Sequence, residues 1–213
     1  MVRRSPSRHD RRRIVVASSA PDRPAVLNVL STVPATTSWE QRLGGKTTHH
    51  KLSFLDFAVD EVPLRQLAIA RDPASHAARE MTRLCHDWPW PLDAVAGLTR
   101  LLAGEATADF DDGRVALLVC PVCADLGCHA LSARVVVQQD TVSWQELGWE
   151  SSYEPFAAAR PDRDGVDPPP TFWFDRKAYV ALLEGLLTEF EQAASTQTSR
   201  HTAMRRWRRR QRE

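Results

Sequence analysis

"GRVALLVCPVCADLGCHALSARVVVQQDTVSWQELGWE", residues 113–150, decides the fold class. Three runs rich in Val, Leu and Trp are separated by "CPVCADLGC" and by the polar "QQDT". Branched and aromatic side chains suit the pleated, half-buried surface of a strand. In the second run His129, Leu131, Ala133, Val135 and Val137 alternate onto one face. The acidic turn "DFDDG", 109–113, opens the first run, and "VSWQELGWE" makes the third. The reading is a meander of three antiparallel strands.

The flanks supply helices. "VPLRQLAIA" has Pro63 suited to a first helical turn, with Leu64, Leu67 and Ala68 on one face. "HAAREMTRLCHDW" is a second candidate. "WPLDAVAGLTRLLAGE" is a third, with Pro91 near its start, Leu92, Val95, Leu98 and Leu102 at helical spacing, and Gly104 as its stop. In "FDRKAYVALLEGLLTEFEQ", Asp175 can cap the N-terminus, and Tyr179, Leu182, Leu186 and Phe190 form the apolar stripe. "HKLSFLDFAVD" reads as one further strand. The sum is an α+β fold: an antiparallel meander sheet with helices packed on one side.

Charge divides the chain of 213 residues into three parts. Residues 1–13 carry six Arg and one acid, and residues 200–213 carry seven Arg and one acid. The stretch between holds 15 basic and 25 acidic residues, so an acidic body lies between two basic ends. Residues 1–48 read as a disordered Arg/Ser/Pro-rich arm and 193–213 as a basic flexible tail, because neither buries enough apolar surface to offset chain entropy. Residues 49–192 read as a single domain. The apolar run Ile14–Ala17 is shorter than the roughly 7–15 residues of a signal peptide. No stretch approaches the roughly 20 apolar residues of a transmembrane segment. The expected location is cytoplasmic, where stable structural disulfides are unusual. The dominance of Arg over Lys, with much Ala, Asp and Pro, suits a GC-rich bacterium.

Several ordered motifs carry a resemblance. "VDEVPLRQL", "WPWPLDAV", "DGRVALLVCPVCADLGCHALSARV", "VSWQELGWESSYEP" and "FWFDRKAY", spanning roughly 51–190, resemble an uncharacterised actinobacterial family with a strand–Cys-Pro-x-Cys-Gly-Asp-x-Gly-Cys–strand element. The resemblance implies domain limits and a fold, and no activity. This chain departs from the family pattern at Ala124 and His129, where the family usually has Gly.

Three of the four cysteines fall in "CPVCADLGC". Cys120 and Cys123 form a Cys-x-x-Cys pair resembling half of a zinc-ribbon knuckle, whose thiolates can enter one tetrahedral site. Cys128 returns at the start of the next strand. A structural zinc needs a fourth ligand, for which Cys85, His86, His129 and Asp125 are candidates. His129 adjoins Cys128, so alternation along a strand is expected to turn the two side chains to opposite faces. Cys85 is the expected fourth ligand. The same spacing supports thiol–disulfide exchange, but that chemistry usually places the pair at a helix N-terminus. The plainest account makes the thiols small, soft side chains closing a compact hairpin, with Asp125 and Gly127 as turn residues.

At the C-terminal end, Arg205, Arg206, Trp207, Arg208, Arg209 and Arg210 form a candidate nucleic-acid-binding stretch, in which Arg pairs with phosphate and Trp stacks on a base. "GGKTT", 44–48, lacks the first Gly of a phosphate-binding loop, having Glu40 there. "DFDDG" lacks the spacing of a calcium loop. No nucleophile–base–acid constellation stands out. The function expected is therefore a non-catalytic binding or interaction domain, with another protein as partner and zinc as a stabilising cofactor. The alternatives are a thiol–disulfide oxidoreductase using the Cys-x-x-Cys pair and a nucleic-acid-associating protein.

Overall fold

The computed structural model describes residues 24, 26–73, 75–88, 91–156 and 168–210. Its elements are β1 (Leu30–Leu43), β2 (Lys46–Val59), β3 (Val62–Pro63), α1 (Leu64–Arg71), a 3-10 turn (His76–Ala78), α2 (Pro91–Leu102), β4 (Arg114–Val119), β5 (Ala130–Val137), β6 (Thr141–Glu150), β7 (Phe172–Asp175) and α3 (Arg176–Arg210).

Two antiparallel sheets form: β1-β2-β3 and the meander β4-β5-β6-β7. The expected three-strand meander is present and gains β7, which pairs Thr141 with Asp175 and Trp144 with Phe172. The α+β class holds. Folded structure begins before residue 49, however. Residues 30–43, expected in an arm, are a strand paired along its whole length with β2, Leu30 against Val59 and Leu43 against Lys46. Its Pro34 lacks a ladder donor, which an edge strand tolerates. "GGKTT" is the turn and start of this hairpin, with Gly44 and Gly45 at φ +56° and +79°. A two-residue turn matching the twist of the strands needs positive φ at both positions.

The helix expected over "HAAREMTRLCHDW" is replaced by the 3-10 turn and an extended segment. Met81 and Val119 exchange N–H to carbonyl bonds of 3.1 and 2.8 Å, and Leu55 N–H donates to Leu84 O at 2.9 Å. The segment thus joins the β4 edge to β2. Glu80, Met81, Thr82, Leu84 and Cys85 are all buried, so no solvent face remains for an amphipathic helix.

α1 and α2 follow their spacing. In α3, Asp175 Oδ1 accepts the Ala178 N–H at 2.9 Å, as an N-cap does. The buried stripe is Tyr179, Leu183, Leu186 and Phe190; Leu183 takes the place expected of Leu182, which is only partly buried. The backbone of the 193–213 stretch continues α3 to Arg210. After Gly185 no Gly or Pro interrupts a run rich in Ala, Gln, Glu and Arg, all compatible with helix.

Side chains sort onto the two faces of the meander. Val115, Leu117, Leu131, Ala133, Val135, Val142 and Trp144 join the main core beneath α2 and α3. Trp144 meets Phe57, Phe174 and Tyr179 edge-on, and its Nε1–H donates to Tyr179 Oη at 3.0 Å. Tyr179 O–H in turn reaches Leu102 O at 3.2 Å, tying β6, α3 and α2 together. On the opposite face Phe110, Ala116, Val119 and Ala130 form a small second core under Ala124 and Leu126. The cysteine-bearing connection covers this second face.

Candidate metal centre

The β4–β5 connection, 120–129, is a knuckle rather than a simple hairpin turn. Ala124 N–H donates to Cys120 O at 2.9 Å and Cys128 N–H to Asp125 O at 3.0 Å, closing two successive turns. Asp125 Oδ1 accepts the Gly127 N–H at 2.8 Å. Ala124 holds the left-handed conformation at φ +52°. Gly127 lies where a Cβ would stand 2.9 Å from the Tyr153 ring, so its missing side chain admits that ring over the knuckle. Ser152 N–H donates to Leu126 O at 3.0 Å, fixing the far side to the chain after β6.

These turns bring Cys120, Cys123 and Cys128 together, with their sulfurs within 4.8 Å of one another. No other group of three such ligands gathers among the described residues. A tetrahedral zinc with sulfurs at about 2.3 Å needs them roughly 3.8 Å apart. Small side-chain rotations cover that difference. Cys120 is half-buried, whereas Cys123 and Cys128 are exposed. Although Cys128 as a residue is exposed, partial desolvation of its sulfur, and then the neighbouring Cys120 and Cys123, push the thiol up to about 12. A divalent metal bound there would offset the negative charge of three clustered thiolates.

The other expected fourth ligands divide. Cys85 is not in the cluster: it is fully buried beside Phe54 and Met81, and its thiol donates to Ser53 O at 3.3 Å. The segment that carries it crosses from the β4 edge to β2 and takes Cys85 with it. Asp125 is engaged by the Gly127 amide, and His86 stacks on Phe190 at 3.8 Å. His129 reverses the expectation of opposite faces. β5 begins at Ala130, so Cys128 and His129 precede the strand and its alternation does not apply. His129 Nδ1 lies 3.3 Å from Cys128 Sγ.

His129 also reaches Glu80, Nε2 to Oε1 at 2.9 Å, and sits beside His76 and Trp149 at ring separations of 5.1 and 5.9 Å. Glu80 is 2% exposed, and its Oε2 has no hydrogen-bond partner. Burial raises the Glu80 carboxyl, and the hydrogen bond from His129 opposes the shift. Sequence reasoning missed Glu80. Its proximity depends on the Met81–Val119 bridge, which joins residues far apart in the chain.

The geometry gives thiol–disulfide exchange little support. Cys120 follows β4 and Cys123 lies in a turn, so neither stands at a helix N-terminus, where such a pair is usually activated. A cleft of about 370 Å³ on the β1–β2 side has only His86 and Asp87 as titratable lining groups. The backbone of Arg205, Arg206, Trp207, Arg208, Arg209 and Arg210 lies in the last turns of α3, whereas residues 1–23 and 211–213 fall outside the described part. Among the described residues no helix is long and apolar enough to cross a membrane. No family model, no curated protein and no solved structure matches this chain.

Proposed function

We propose that the protein is a non-catalytic binding module of a reducing, cytoplasmic compartment, with another protein as its partner, and that Cys120, Cys123 and Cys128 hold a structural zinc. The observation carrying this reading is the convergence of three sulfurs within 4.8 Å on one braced connection. Zinc suits the donor set because it is borderline-soft, accepts thiolates and imposes little geometry of its own. A metal there would pin the cover of the second core, where the few apolar side chains provide only a small buried cluster.

The test is metal analysis of the purified full chain, coupled to thiol titration. One zinc per chain is expected, with the three knuckle thiols unreactive until a chelator is added. Metal-free protein that forms a reversible Cys120–Cys123 disulfide would replace this reading with the oxidoreductase.

A further inference from the structure

Resting on that zinc reading, we propose that His129 Nδ1 is the fourth ligand and that Glu80 is the buried carboxylate that aims it. Three sulfurs leave one corner of a tetrahedron open. His129 Nδ1 lies 3.3 Å from Cys128 Sγ. Ligand distances of about 2.3 Å for sulfur and 2.0–2.1 Å for nitrogen put two tetrahedral neighbours roughly 3.5 Å apart. The imidazole therefore already stands at ligand spacing from Cys128. It lies outside the 4.8 Å group of the three sulfurs, so a turn of its ring toward Cys120 and Cys123 would complete the site.

Its other nitrogen explains the orientation. With Nε2–H donated to Glu80 Oε1, the lone pair resides on Nδ1, the nitrogen beside Cys128 Sγ. Ligating histidines commonly have this arrangement, the distal N–H held by a carboxylate that fixes the tautomer and ring angle. Glu80 is an expensive residue for any other purpose. It is buried, its Oε2 is unpartnered, and His129 is the hydrogen-bonding group it reaches. The His76 and Trp149 rings pack near the imidazole and restrict its rotation. The site would then be Cys3His, with its histidine anchored to the segment that bridges the sheets.

The same row of atoms, Cys128 Sγ to His129 to Glu80, also has the order of a nucleophile, base and orienting acid. Two further thiols beside the sulfur favour coordination, and experiment separates the readings. The full chain would be loaded with cobalt(II) or zinc and studied by electronic absorption and X-ray absorption. The expected wild-type site has three thiolates and one imidazole in tetrahedral geometry. His129→Ala should lose the imidazole scattering and weaken zinc at least 10-fold. His129→Cys should regain tetrahedral binding with a fourth thiolate, showing that the fold survives. Glu80→Gln should keep all four ligands and weaken zinc about 10–100-fold.

A wild-type site lacking imidazole, or a His129→Ala spectrum identical to wild type, overturns the fourth-ligand assignment and leaves the three-thiolate reading standing. Failure of the wild-type chain to bind either metal removes both. Selective alkylation of Cys128 that depends on His129, in a metal-free wild type, would assign the row to nucleophilic chemistry instead.

Discussion

Ala124 pays a conformational cost at the centre of the candidate site. An L-residue in the left-handed region meets its own carbonyl, at roughly 1–2 kcal/mol, and Ala124 sits there at φ +52°. That conformation turns the chain between the second cysteine and Asp125, just after the Ala124 N–H has closed on Cys120 O. Glycine would remove the clash but would lose about 0.5–1 kcal/mol through greater freedom in the unfolded chain. Ala124→Gly should therefore stabilise the protein by about 0.5–1 kcal/mol in urea unfolding, with zinc stoichiometry unchanged. Destabilisation would mean that the knuckle does not hold this conformation in solution. The position was legible in the sequence as a place where glycine would serve. The opposite held for His129, because alternation was applied to a residue that precedes the strand.

Among the elements, β4 makes the most unusual demand on its sequence. All six of its residues are buried, including Arg114, whose guanidinium lies under the small second core's side of the sheet. Arg114 donates to Ser132 Oγ, to Glu150 Oε1 at 2.9 Å and to the Ser132 and Glu146 carbonyls, and it stacks 3.7 Å from the Phe156 ring centroid. Burial lowers the Arg114 pKa, and the hydrogen bond and charge of Glu150 oppose that shift. Removing one partner leaves the other buried alone, at about 3–5 kcal/mol. Arg114→Met should lose that much in denaturant unfolding, and adding Glu150→Leu should recover most of it. Equal losses in the single and double variants would show that the two charges are not coupled. Strands β4, β5 and β6 were readable from composition because their partners are neighbours in the chain. Strand β1 was not, since Pro34 and its Ser and Thr residues resemble a linker until β2 pairs with them. The stretch around Glu80 was misread for a related reason: helical spacing is present locally, but two sheet edges compete for the same backbone groups.

Over the whole molecule, folding and charge are segregated. The helix whose residues Tyr179, Leu183, Leu186 and Phe190 line the main core continues into Arg205–Arg210, while the sequence between the basic ends carries 25 acids against 15 bases. Stability and polyanion attraction should therefore be separable. Deleting residues 1–13 and 200–213 removes thirteen arginines and leaves in place every core residue found buried among the described residues. Unfolding free energy should change by less than about 0.5 kcal/mol, as for surface changes away from special features, and zinc content should not change. If the ends engage nucleic acid, the full chain should be retained on DNA and released as salt rises. Each lost phosphate contact should flatten the logarithmic salt dependence by about 0.9. The shortened chain, left with the acidic body, should then pass through unretained. DNA retention equal to that of the full chain would place the attraction on the body, against its charge, and would remove Arg205, Arg206, Trp207, Arg208, Arg209 and Arg210 as the binding stretch.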